Sequence, residues 1–383
     1  MRQGLLSQRF SQGNSQAVRH RLSALQGQMV EAFRQRLETG EYRLATEHCP
    51  CGADDDTLIA EIDRYGLPLA SVLCARCGAV RTNPYLDDAS LDDFYRQMYQ
   101  VMYARAPQVE AYFANQATYG SRIAALYERE LRPTANVLEV GCGAGGGLAV
   151  FQNLGHRVAG CDLSRELVAF GVQQGLNRLW NGTTDEMPCE LESERWNLII
   201  LHHVFEHVQS PAHMLNLLSG LLAPQGRILI IVPNILQIDR FPNPAGNALK
   251  FLHVAHKFNY TPECLEVVAA KAGLAAATRV PPAHLRTAWS EMPELWMEFK
   301  SGGVDTPPLP PRAACGERVL AYLRDTERRF LAGDFEALDE IRSNRNSPPQ
   351  AKPRRHLRKI WDWVAGRRSP QAAWSMTRFR SSK

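Results

Sequence analysis

Between Thr134 and Asn234 the chain alternates strand and helix, with a glycine turn at the first crossing. "ANVLEVGCGAGGGLAVFQNLG" reads as an apolar strand, a turn and a helix, and "HRVAGCDLS" as a second strand. "RELVAFGVQQG" reads as a helix, "WNLIILHH" as a strand, "PAHMLNLLSGLLAPQG" as a helix and "RILIIVPN" as a strand. Strands that alternate with helices predict a parallel, doubly wound α/β sheet. The glycines allow close approach of the backbone to a ligand, and the helix that follows offers free N–H groups at its start. Asp162 ends the second strand, 21 residues after Gly141. From there an acid hydrogen-bonds ribose hydroxyls in Rossmann-type sites. Gly141, Gly143 and Gly146 also satisfy G-x-G-x-x-G, so the turn alone leaves open a nicotinamide dinucleotide site or a tight turn with no ligand.

The flanking motifs narrow this. Glu139-Val-Gly141-Cys-Gly143-Ala-Gly145 resembles motif I (E/D-x-G-x-G-x-G) of class I S-adenosylmethionine (SAM) methyltransferases. "GCDLS" resembles their second strand, "LHHVFEHV" their segment after strand four, and "LLAPQGRILIIVPN" their strand five, with Gln225 where a second glycine is usual. The resemblance implies a Rossmann-like fold and roles for single residues. Glu139 would hold the methionine amino end, Gly141, Gly143 and Gly145 would line its path, and Asp162 would accept the ribose hydroxyls. Thr183, in "GTTDEMP", stands where the family contacts adenine. Glu139 and the E-H-V and P-N segments argue against an NAD-dependent oxidoreductase. A non-catalytic SAM-binding scaffold stays open, because intact cofactor residues do not prove turnover.

The segment His203-Val204-Phe205-Glu206-His207 matches by letters the H-x-x-E-H pattern of inverzincin peptidases. Its place at the end of a buried strand within this domain argues against a peptidase. On a helical turn His203, Glu206 and His207 share one face, and imidazole and carboxylate suit a divalent cation. The ubiquinone-pathway and small-RNA O-methyltransferases are similar here, with E-x-x-E-H, and the RNA enzymes add a later His in a segment that "AHKFNYTPE" resembles at His256. Three readings follow for His203, Glu206, His207 and His256: a divalent-metal site, base and pocket residues, or structural side chains. His256 is the best candidate for a catalytic base, with Glu206 and His207 beside it, because imidazole titrates near neutral pH.

Cys49-Pro-Cys51-Gly and Cys74-Ala-Arg-Cys77-Gly, separated by 22 residues, read as two knuckles of a four-cysteine structural zinc ribbon. His48 stands ready as a substitute ligand, and reduced structural thiols are the alternative. The stretch resembles the N-terminal segment of sugar C-methyltransferases and of related polysaccharide-biosynthesis methyltransferases. The C-methyltransferases continue into a second α/β domain, for which nothing after residue 283 carries a glycine turn. Cys142, Cys161, Cys189, Cys264 and Cys315 read as core or incidental.

The remaining chain is read as additions. Residues 1–44 form a helical N-terminal segment in which Leu22, Leu25, Met29 and Phe33 fall at helical spacing before Gly40. The ribbon covers 45–85, a helical lead-in 86–133, the methyltransferase domain 134–282, a helical extension 283–350, and a basic amphipathic tail 351–383. The tail holds ten Lys/Arg against Asp362, a net +9, whereas the whole chain is +4, so the body is −5. A basic amphipathic helix with Trp361 suits an anionic membrane surface; a helix docked on its own domain and a solvated tail are the alternatives. The acidic body and the lack of an RNA-binding module argue against nucleic acid. No apolar run nears the roughly 20 residues that span a bilayer, and no apolar leader segment is evident, so a cytoplasmic protein is expected. The expected activity is SAM-dependent methyl transfer to a sugar hydroxyl of a glycan or polysaccharide precursor. Alternative acceptors are a sugar carbon, a quinol-like small molecule or RNA.

Overall fold

The computed structural model describes residues 2–15, 22–103, 108–132, 134–240, 246–279, 293–302 and 314–335. The basic tail and most of the 283–350 extension lie outside the described residues. The described residues fall into two units. One holds residues 108–183; the other holds those up to 103 and from 184 onward.

In the larger unit the chain opens with β1 (Arg2–Gln3) and α1 (Ala24–Glu38). Helix α1 starts on a capping box in which Ser23 and Gln26 satisfy each other's backbone N–H groups, and it stops before Gly40 at φ +75°. Val30 and Phe33 face the core, but Leu25, read as part of the apolar stripe, is 55% exposed. Next come β2 (Leu44–Ala45), β3 (Asp56–Ala60), β4 (Ser71–Cys74), β5 (Val80–Thr82), β6 (Tyr85–Leu86), α2 (Asp88–Gln97) and α3 (Tyr99–Tyr103). One of their cores joins Phe33, Tyr42, Tyr85 and Phe94 to Val254 and Ala255, so this region is built into the unit rather than appended to it.

The smaller unit is α4 (Val109–Leu126), β7 (Asn136–Val140), α5 (Gly146–Asn153), β8 (Arg157–Asp162), α6 (Arg165–Gln173) and β9 (Leu179–Asn181). Strands β7, β8 and β9 pair in parallel in that order, with Glu139 opposite Gly160 and Asp162 opposite Asn181. This is the βαβαβ unit that the alternation predicts. Helix α4, read from sequence as part of a separate lead-in, lies along α5: a Cβ on Gly120 would fall 2.6 Å from the Cα of Gly147. Two facing glycines let the helix backbones meet.

The larger unit resumes with α7 (Cys189–Glu192), β10 (Trp196–His202), α8 (Pro211–Gly220), β11 (Leu222–Pro233), β12 (Phe258–Asn259), α9 (Pro262–Lys271), β13 (Leu274–Arg279), β14 (Glu294–Ser301) and α10 (Cys315–Leu331). Strands β10 and β11 are parallel; β14 runs antiparallel between β11 and β13. Gln225, where relatives favour glycine, takes φ +65° and so adopts the left-handed conformation that glycine accepts at less cost. Thr261 caps α9, accepting from Cys264 N–H, and Pro262 opens it. Strand β14 corrects the helical reading of 283–350. Glu294 and Glu298, four apart, look like one polar helix face. The strand instead buries both, pairing Glu298 with Arg227 and Glu294 with His202 and His203. Buried on both faces over its first six residues, it loses the polar alternation that would have marked it.

A second sheet runs β1-β3-β4-β5-β12, joining the cysteine region to the segment after β11. Among the described residues no helix is long and apolar enough to cross a membrane.

Candidate active site

The glycine turn after β7 is shaped by α4. Gly143 and Gly145 have φ of +56° and +79°. A Cβ on Gly143 would lie 2.6 Å from Gln116 Nε2 and 2.8 Å from the Tyr112 ring, and one on Gly145 would lie 2.5 Å from Leu176 Cδ1. Both conformation and space therefore demand glycine. Gln116 binds the turn on both sides: its amide donates to Cys142 O at 2.8 Å, and its carbonyl accepts from the N–H groups of Ala144 and Gly146. Gly141, at φ +67°, begins the turn.

Two carboxylates flank it. Glu139 is buried and accepts the Tyr119 hydroxyl at 2.5 Å, leaving Oε2 with no partner. Burial pushes its carboxyl up to about 8, against the Tyr119 hydrogen bond. Asp162 accepts from the N–H groups of Gly143 and Ser164, each at 2.8 Å. Burial raises its pKa, and these two donors pull it back down. The next residue, Leu163, is 62% exposed and offers an apolar surface beside the carboxylate. Thr183 presents its carbonyl to Trp180 Nε1 at 2.9 Å. An orphaned buried carboxylate oxygen, a glycine cradle and an aspartate at the strand end fit SAM. Gln116, Tyr119 and Leu163 escaped the sequence reading. The first two lie on a helix upstream of the motif, and an exposed leucine carries no motif at all.

In the other unit, β10 delivers its final residues into a tight turn. His203 takes φ +54°, a conformation that costs roughly 1–2 kcal/mol. It is held there by two acids, with Nδ1 3.3 Å from Glu206 Oε1 and Nε2 2.9 Å from Glu294 Oε1. Despite its burial, these carboxylates push its pKa up to about 10, so it is cationic at neutral pH.

Glu206 is fully buried; beyond the ion pair of its Oε1 with His203, neither oxygen has a hydrogen-bond partner among the described residues. His207 Nε2 and His256 Nε2 each stand 3.9 Å from its Oε1. His207 Nδ1 lies 2.6 Å from Ala255 O, and a carbonyl can only accept. The proton is therefore on Nδ1, and the Nε2 lone pair faces Glu206. A ligating histidine usually has its second nitrogen donating to such a carbonyl. Burial lowers the pKa of His207, and lowers those of His253 and His256 well below the ordinary histidine value. Those rings are neutral at pH 7. The His253 and His256 ring centroids are 3.7 Å apart, and Tyr103 lies 5.0 Å from His253. His253 Nδ1, His256 Nδ1 and Tyr103 Oη are also buried without partners.

The four residues read as one metal set are therefore redistributed. Ligand atoms of Glu206, His207 and His256 come within 4.8 Å of one another, and so do those of a second group, His202, His203 and Glu294. Glu294, 88 positions beyond Glu206, gave no signal in the sequence.

The cysteines converge as their spacing predicts. The four sulfurs of Cys49, Cys51, Cys74 and Cys77 lie within 4.8 Å, with Cys49–Cys77 at 3.5 Å and Cys51–Cys74 at 3.6 Å. A tetrahedral ion with bonds of about 2.3 Å sets its sulfurs about 3.8 Å apart, so the set fits zinc. His48 turns away, exposed and paired with Asp54. Beside the cluster, Arg81 is buried in a two-point pair with Asp56 at 2.8 and 2.6 Å. Cys315, read as core or incidental, is buried and donates to Cys77 O at 3.1 Å.

Residues 113–278 match the family model described as a methyltransferase domain. The C-methyltransferase NovU of Streptomyces niveus is 30% identical over 104 residues, 27% of this chain and 25% of that protein. The ubiquinone biosynthesis O-methyltransferase of Aeromonas salmonicida (strain A449) is 26% identical over 102 residues, 26% of this chain and 43% of that protein. The chain thus spans a quarter and under half of the lengths of these two relatives. Among solved structures, the 1,6-didemethyltoxoflavin-N1-methyltransferase of Burkholderia thailandensis aligns with a TM-score of 0.42 and 18% identity, covering 59% of this chain and 96% of that one. With the family match laid over the glycine turn, Glu139 and Asp162, the chain carries a class I SAM-dependent methyltransferase domain.

Proposed function

We propose that this protein transfers the SAM methyl group to a hydroxyl of a polyhydroxylated acceptor, a sugar of a glycan or polysaccharide precursor. One observation carries the reading. Glu206 Oε2, His253 Nδ1, His256 Nδ1 and Tyr103 Oη are all buried and, among the described residues, have no hydrogen-bond partner. An unpaired buried polar group costs about 1–3 kcal/mol, so a cluster of them favours a ligand rich in hydroxyls.

When bound, SAM supplies an electrophilic methyl group. The chain's own residues do the rest. Asp162 and the glycine turn fix the ribose and methionine ends. Neutral His256 takes the acceptor proton on Nδ1. Glu206, 3.9 Å from Nε2, stabilises the imidazolium that forms. The test is transfer of label from tritiated SAM to a glycan-precursor extract. Replacement His256→Asn should cut the rate by roughly 10²–10⁴-fold while leaving SAM affinity unchanged in calorimetry. Wild-type rates in that variant would remove His256 from the chemistry.

A second reading rests on the His207 tautomer. A lone pair and a carboxylate facing each other suit a shared divalent cation held by Glu206, His207 and His256. It would bind adjacent acceptor hydroxyls and lower their pKa. Methylation that survives in EDTA sinks this version and spares the first.

A further inference from the structure

The segment 252–261, which carries His253 and His256, is bound along its length by the cysteine-bearing sheet and the helices that follow it. Arg64 N–H donates to Leu252 O at 2.7 Å, and Val254 N–H to the Asp63 carboxylate at 3.3 Å. The Tyr85 hydroxyl donates to Val254 O at 2.6 Å. Thr82 N–H donates to Lys257 O at 3.0 Å, and β12 then pairs with β5, Phe258 opposite Arg81 and Asn259 opposite Val80. The Thr261 hydroxyl donates to the carbonyl of Cys77 itself, at 2.8 Å.

One side chain joins the knuckle to both halves of the acceptor cluster. Lys257 has a side chain only 2% exposed, and such a lysine must be fully paired. Its ammonium donates to Glu47 Oε2 at 2.6 Å, Gln209 Oε1 at 2.6 Å and Gln209 O at 3.0 Å, which uses all three of its protons. Glu47 lies two residues before Cys49, Gln209 two residues after His207, and Lys257 follows His256 directly.

We infer that the cysteine-knuckle sheet is the mould that sets the acceptor histidines, and that Lys257 is the positioning residue fixing His256 against Glu206 and His207. The knuckle is thereby part of the acceptor apparatus, although none of its cysteines touches the histidines' ligand atoms. This rests on the assignment of Glu206 and His256 to the acceptor side.

The test uses the full-length protein labelled with ¹³C-histidine, with the His207 and His256 ring resonances assigned from His207→Asn and His256→Asn. In Lys257→Met both resonances should shift, while zinc content stays at the wild-type value. SAM affinity should hold within about twofold, as expected for an independent site. Lys257→Arg, which keeps the charge, should restore most of the shift. Gln209→Ala, a gentler change that removes one anchor, should move the same resonances less. Unmoved resonances in a folded Lys257→Met protein would overturn the inference, as would joint loss of zinc and SAM affinity, which would make Lys257 a residue of general folding. Failure of the wild-type protein to bind SAM would instead overturn the methyltransferase reading and leave the resonance result standing.

Discussion

Asp162 and Glu206 are both carboxylates at the end of a strand, in separate units, and they are held in opposite ways. Asp162 is satisfied by its own neighbourhood: the N–H groups of Gly143 and Ser164 each engage one of its oxygens, and a short turn fixes both. Glu206 receives no hydrogen bond and is surrounded by imidazoles drawn from the end of β10, the turn after it and the 252–261 segment, with Glu294 closing on His203. The cofactor side is a backbone device whose geometry is nearly complete within about 50 residues. The proposed acceptor side is a side-chain device assembled over much greater separations.

The largest effect is expected from the cysteine cluster beneath the acceptor side. Purified protein should carry about one zinc. Structural zinc sites of this kind contribute apparent binding energies of roughly 10–16 kcal/mol to folding, so chelation should melt the β1-β3-β4-β5-β12 sheet. Elemental analysis and circular dichroism read this directly, and a zinc-free protein with an unchanged melting curve would refute the ribbon. On the proposed reading of the cofactor side, Asp162→Ala would remove the acceptor of two ribose hydrogen bonds. At about 1.5–3 kcal/mol for each charge-assisted bond, calorimetry should show SAM affinity falling by roughly 100-fold or more.

Stability against pH should separate the two regions next. His207, His253 and His256 are held neutral, with pKa values lowered in the folded protein. Below the unfolded-state value of about 6.5 the unfolded chain binds more protons, so stability falls as pH falls, by up to about 1.4 kcal/mol per pH unit for each histidine. His203 has the opposite sign. Its raised pKa gives stability that is full below about 6.5 and is lost as pH rises through the folded value of about 10. Between about pH 5 and 7 the three histidines therefore make urea midpoints rise with pH, opposed by Glu139, whose raised value of about 8 loses stability as pH rises. A His256→Asn variant should show a shallower slope, and an unaltered slope would contradict a neutral buried His256. The smallest change is Tyr119→Phe, which takes the hydroxyl from Glu139 and should cost about 1–2 kcal/mol of stability. An increase in stability would instead mean that Glu139 is better left to a ligand alone.

The glycine turn, the strand–helix order and the knuckle spacing were all legible because each is local. A turn that needs positive φ writes glycine, and four thiols on two knuckles write their own ligand set. Tyr103, His253 and Glu294 were not legible. Each is an ordinary residue until a sheet or helix brings it against the cluster, and a motif search has no spacing by which to find it. Strand β14 was misread for the same reason, since its glutamates follow helical spacing and only their partners on β10 and β11 reveal their role.

The sequence by itself determined the α/β fold of the domain, the cofactor cradle from Glu139 to Asp162 and the cysteine cluster, because backbone conformation and short-range ligand spacing are encoded residue by residue. Only the tertiary structure decided which histidines meet which acids. It turned His203 into a cation between Glu206 and Glu294, and it buried Lys257 between the knuckle and the acceptor side. Charges and lone pairs at these separations acquire partners, and pKa values, only once distant segments have been packed together and water has been excluded from between them.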